Sequence, residues 1–142
     1  MVATVDLAPD DRPQMIGRRW ARQRATLTLH NAEATLQLDA AWGVRDVRCP
    51  EELRGTAMQG CGSEADARAL EARIERESTA LHGAVTTVGD ALSLTLRGDA
   101  GTSEVALRCQ RSDAGLACAE VRGWPVREGF RPPAEVRFAR AP

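Results

Sequence analysis

Leu27 and Leu29 alternate with Thr26 and Thr28, and Leu36 and Leu38 alternate with Thr35 and Gln37. Successive side chains of an extended chain point to opposite faces, so each run has one apolar and one polar side. Asn31-Ala32 lies between the two runs. Folding the chain there sets Leu29 opposite Ala34, Leu27 opposite Leu36 and Ala25 opposite Leu38. A slip of one residue would carry every leucine to the wrong face, so the pattern specifies both a hairpin and its register. A chain with this signal must build a sheet with one buried side.

The same signal recurs downstream. Gly89-Asp90 turns the chain between 84–88 and 91–97, and residues 98–101 turn it again into 102–110. Pairing across that second turn predicts Leu94 opposite Val105 and Leu92 opposite Leu107. A third turn at 112–115 leads into 116–122, and a last short strand is expected over 135–139, after Pro132-Pro133. Residues 42–49 read as a weaker strand, because Asp46 and Val47 break the alternation, and 51–62 read as loop. Residues 15–24 are ambiguous. Between loop and meander, Ala67, Leu70, Ile74 and Leu81 fall at helical spacing, which predicts a helix over 64–82. Ser63 is a candidate N-cap, Glu64 and Asp66 complement the macrodipole, and Gly83 provides the stop. Residues 1–14 contain Pro9, Pro13 and three Asp, and read as a disordered lead or tether. The expected fold is α+β: a mostly antiparallel β meander packed with one amphipathic helix, forming a single β-rich domain over 15–142.

Composition narrows the function classes. The chain has 142 residues and a net charge of −1, which argues against a nucleic-acid or anionic-membrane binder that works through basic excess. All 19 basic residues are Arg. Abundant Ala and Gly point to genome composition as the reason, ahead of anion recognition. Arg18-Arg19-Trp20-Ala21-Arg22-Gln23-Arg24 is a local basic run with one aromatic. It fits the solvent side of a first strand better than an RNA surface. No stretch approaches the ~20 apolar residues of a membrane span. The expected location is periplasmic or outer-membrane-tethered if the chain is a mature fragment, and cytoplasmic if Met1 is the native start.

The four cysteines carry the most chemistry. The turn at 112–115 puts Cys109 directly opposite Cys118, the geometry of a cross-strand disulfide. Cys49 and Cys61 then pair by elimination, around the loop before the helix. The alternative is four reduced thiols acting as small hydrophobes. Zinc is disfavoured, because the sequence has no Cys-x-x-Cys and neither His30 nor His82 completes a ligand pattern. Cys61 lies just before the expected helix start, where the dipole would favour a thiolate, so a reactive thiol is one reading and a structural cysteine the other. No nucleophile elbow or phosphate-cradling glycine loop occurs. Paired Glu51-Glu52 beside Pro50 read as a solvated loop. No catalytic residue and no cofactor are expected.

Leu53, Thr56, Met58 and Cys61, followed by Glu64, Leu70 and Ile74 and then by Gly89-Asp90-Ala91-Leu92-Ser93-Leu94, carry a resemblance over about residues 25–108. In this order of elements the chain resembles the META-domain family of small bacterial envelope proteins. It departs from that pattern in the spacing of Met58 to Cys61, and in lacking a Gly-Cys-Asn signature. The resemblance implies association with the envelope and stress tolerance, without a catalytic site. Three functions follow as expectations. The first is a non-enzymatic exported protein acting by protein binding, with Arg18, Arg19, Trp20, Trp124 and Phe130 as possible partner contacts. The second is an inhibitor or immunity protein against a secreted hydrolase. The third is a thiol enzyme using Cys61.

Overall fold

The structure is a computed structural model that describes residues 1–14, 16–99, 103–126 and 130–141, with residues 8–14 described by their backbone alone. Its elements are β1 (Val2–Gln14), β2 (Gly17–His30), β3 (Glu33–Arg45), α1 (Glu64–Ala72), β4 (Glu75–Val88), β5 (Ala91–Gly98), β6 (Glu104–Ser112), β7 (Gly115–Arg122) and β8 (Val136–Arg140). The strands hydrogen-bond in chain order, and β8 returns to β1 through Ala3 with Arg140 and Thr4 with Ala139, which closes a barrel.

This overturns the expected meander packed with an amphipathic helix. Strands take most of the described residues, and the one α-helix among them is short. No helical layer is needed, because a sheet that closes on itself buries its own apolar face and has no edge there. The helix expected over 64–82 stops at Ala72, and β4 begins at Glu75. Leu81 does not belong to a helical stripe. It is fully buried on a strand, and after it the half-buried Gly83 and Val85 alternate with the exposed His82 and Ala84. Ile74, also part of the supposed stripe, is 42% exposed. A period of two and a period of about four share positions over so short a run, and strand pairing with β5 decided between them. The residues expected as a disordered lead form β1.

The chain divides into two compact units: Met1–Leu7, Arg24–Asp39 and Ser78–Pro142 in one, Ala8–Gln23 and Ala40–Glu77 in the other. In the larger unit, Ala25, Leu27, Leu29, Ala34, Leu36 and Leu38 are all buried, on the face that their alternation predicts. Asn31 makes the turn with φ of 56°, a left-handed conformation that Asn tolerates. The β5–β6 register differs from expectation. Leu94 lies opposite Leu107, Leu92 opposite Cys109 and Leu96 opposite Val105. The turn is longer than supposed, since Arg97 is the last residue paired, with Glu104. The offset is two residues, so every side chain keeps its face and the sequence pattern is blind to it.

Leu81, Leu92, Leu94, Leu96 and Leu107 fill the larger unit's interior with Trp124 and Phe138, whose ring centroids are 6.5 Å apart. Gly83 lets β4 and β5 approach closely, because a Cβ there would overlap the Thr95 carbonyl oxygen. Leu107→Ala is expected to lower stability by about 2–5 kcal/mol. Gly83→Val should prevent folding of the barrel. Val88→Ala, at a side chain 76% exposed, should change stability by no more than about 0.5 kcal/mol. Denaturant unfolding followed by tryptophan fluorescence and circular dichroism checks all three.

Candidate functional site

The smaller unit has little core of its own. Among its described side chains only Ala41, Gly60 and Cys61 are buried. Trp20, on β2, lies half-buried against Gly43 of β3, where a Cβ would sit 3.1 Å from the indole Cζ2. The Arg22 guanidinium stands 5.5 Å from the centre of the same ring, within cation–π range. Of the basic run, Arg19 is exposed and Arg18 half-buried.

After β3 the chain forms a loop closed by a disulfide between Cys49 and Cys61, with Cα atoms 5.6 Å apart. The bond closes a short ring. Cross-links of that loop length remove chain entropy from the unfolded state and stabilise by roughly 3 kcal/mol. Inside the ring are a 3-10 turn at Glu51–Leu53 and local bonds from Gly55 N–H to the Cys61 carbonyl (2.7 Å) and from Cys61 N–H to the Met58 carbonyl (3.0 Å). Cys49 Sγ lies 3.4 Å from the Gly60 carbonyl oxygen. In the disulfide this is a contact without a proton. Gly60, at φ of 86°, packs onto Leu70 of α1, and an added Cβ would come within 2.7 Å of Leu70 Cδ2. Two further hydrogen bonds tie the start of the loop down, from Val47 N–H to the Glu71 side-chain Oε1 (3.1 Å) and from Arg48 N–H to the Ile16 carbonyl (3.1 Å).

Ser63 caps α1 as its sequence position predicts: its hydroxyl oxygen accepts from the Asp66 N–H at 3.2 Å. Thr56, Met58, Gly60, Asp66, Leu70 and Arg73 are among the residues that line a concavity of about 320 Å³ between loop and helix. Met58, 40% exposed, is the apolar side chain of the loop most open to solvent. The other residues from 54 to 59, and Gly62, are exposed as well. The loop is thus ordered by a covalent bond and still presents most of its length to solvent.

In the larger unit the second disulfide joins Cys109 and Cys118, directly opposed on β6 and β7 with Cα atoms 3.9 Å apart. Both are buried in the core. Among the described residues no cysteine is free, so Cys61 holds no thiolate in this state. Trp124, named above as a possible partner contact, is 4% exposed and belongs to the core. It packs inward because the chain leaving β7 turns through Gly123, at φ of 73°. Phe130 is half-buried. A polar concavity of about 650 Å³ is lined by Asn31, Asp90, Arg111, Asp113 and Arg140, residues at the turns and strand ends of this unit. It carries both signs of charge. Among the described residues no group of three or more His, Cys, Asp or Glu is placed to hold a metal, and no helix is long and apolar enough to cross a membrane.

Sequence reasoning reached Cys49, Cys61, Ser63, Arg18, Arg19 and Trp20 of the smaller unit. It did not single out Met58 and Leu70 as facing one concavity, since only the fold of the loop onto α1 brings them together. No protein-family model matches the chain, no curated protein matches it, and no solved structure matches it. Ser63→Ala should cost about 1 kcal/mol of local helix stability. Hydrogen exchange should then quicken roughly fivefold at the first amides of α1 and remain unchanged in β5 to β7, because the cap bonds only to its own helix.

Proposed function

We propose that this chain is a non-enzymatic bacterial protein of the cell envelope that binds another protein through the disulfide-closed loop and helix of its smaller unit. The observation that carries the proposal is a loop, residues 50–60, that is exposed over most of 51–59 and closed by the Cys49–Cys61 bond. A flexible loop loses conformational freedom when it binds. One already held in shape does not, so the clamp converts directly into affinity. The inward positions of the larger unit are taken by packed leucines and a buried disulfide. Exposed loops on a rigid scaffold are where proteins commonly place recognition.

Two disulfides support an oxidising compartment, because cytosolic thiols are kept reduced. A periplasmic or outer-membrane-tethered location is the reading we adopt, in keeping with the envelope role that the META-domain resemblance implies. The inhibitor reading draws on the same clamped loop, and the identity of the captured partner separates the two. A thiol enzyme at Cys61 would need the disulfide opened first.

The test is photo-crosslinking in intact cells that make the protein, with a benzophenone amino acid at position 58 and, as control, at Ser93 on the outer side of β5. A discrete adduct from position 58, absent from position 93 and competed by unlabelled protein, is the expected outcome. No adduct, or the same adducts from both positions, would sink the proposal. A secreted hydrolase as the partner would favour the inhibitor reading.

A further inference from the structure

The two disulfides occupy opposite physical settings. Cys109 and Cys118 are 6% and 1% exposed and lie within the aliphatic interior of the larger unit. Cys49 is half-buried on a segment without regular structure, and its partner Cys61 is 4% exposed. Thiol–disulfide exchange needs an attacking thiolate to reach one sulfur in line with the bond. Of the four cysteines, Cys49 is the one that is not buried. The core pair is reached only when the barrel opens.

The consequences of reduction also differ. Around Cys109–Cys118, strand pairing and packed leucines persist without the bond. Around Cys49–Cys61 there is no comparable support, because Ala41 and Gly60 are the only other buried described residues of that unit. The backbone bonds within 50–61 are local and span only a few residues each, apart from Gly55 to Cys61. Opening the ring therefore removes the constraint that orders the loop, while β5 to β8 keep theirs.

We propose that Cys49–Cys61 is a redox-operated latch that holds the partner-binding loop in shape and releases it when a dithiol reduces the bond. The proposal rests on the binding function assigned to that loop above. The reductant is a dithiol, free or in a protein. One of its thiolates attacks Cys49 Sγ, a mixed disulfide forms and Cys61 leaves as a thiolate. The second thiol of the reductant, deprotonated, then attacks the reductant's own sulfur in the mixed disulfide and frees Cys49. Two electrons pass to the cysteine pair, which takes up two protons, and the dithiol becomes a disulfide.

The experiment titrates the oxidised full-length protein with dithiothreitol under native conditions. Alkylated cysteines are mapped by peptide mass, and amide exchange is followed across the chain. Cys49 and Cys61 should become alkylated at about one-tenth or less of the dithiol concentration that exposes Cys109 and Cys118. In that window, exchange should rise across 50–60 and stay slow in β5 to β8. The position-58 crosslink should fall at least severalfold on selective reduction and return on reoxidation. The double variant Cys49→Ser, Cys61→Ser should match the reduced state. If it fails to fold, the selectively reduced wild type is the readout. Simultaneous opening of both pairs, unchanged exchange in 50–60 after selective opening, or an undiminished crosslink would each overturn the latch. Selective opening and loop release without any crosslink in the oxidised protein would instead overturn the binding function on which the latch acts.

Discussion

The backbone pairing of β1 with β8, through Ala3 with Arg140 and Thr4 with Ala139, is the constraint on which the rest depends. A curved sheet of amphipathic strands has an apolar face that must be covered and two edges that must be satisfied. Closure meets both needs at once: the strands cover one another's apolar face, and the edge N–H and C=O groups bond across the seam. Without that seam, Leu27, Leu94 and Leu107 would need a separate layer. Among the described residues only the short α1 is an α-helix, and none of its residues is buried.

Closure also explains how the disulfides divide their work. In the larger unit, packing and hydrogen bonding already specify the structure, and Cys109–Cys118 joins strands that are paired in any case. In the smaller unit apolar burial is slight, so a covalent ring substitutes for a core, as it does in small domains that cannot bury enough surface. The two bonds share a chemistry and differ in what each holds in place. That difference lets the proposed binding loop be opened while the scaffold stays folded.

The charged residues follow the same division. Arg97 with Glu104 and Arg108 with Glu120 pair across neighbouring strands on the outer face, at 3.3 Å and 3.6 Å. These exposed pairs contribute a few tenths of a kcal/mol to about 1 kcal/mol at most. Their opposite signs also avoid like-charge repulsion between opposed residues. Arg22 stacked on Trp20 similarly couples a basic side chain to local packing. The basic run that stood out in the sequence is in part an element of the smaller unit's own structure.

Much of this was legible from residues alone. Alternation around Asn31 placed β2, β3 and their buried faces, the turn at 112–115 placed Cys109 opposite Cys118, and the hydroxyl of Ser63 marked the start of α1. These are local effects, decided by side-chain period, turn chemistry and capping within a few residues of one another. Where local signals were degenerate, tertiary structure decided. Leu81 fitted a helix and a strand equally well until β5 paired with its segment. The two-residue shift between β5 and β6 preserved every face and so left no trace in the pattern. Residues 1–14, with two prolines and three acids, have little strand preference of their own, and the segment is extended because β8 and β2 flank it in the closed sheet. Trp124 could equally have faced solvent or core by sequence. The sequence by itself determined which face of each strand is apolar and which cysteines could meet. Only the tertiary structure decided that the sheet closes, because closure is a bond between the two ends of the chain, and no local pattern records a partner more than a hundred residues away.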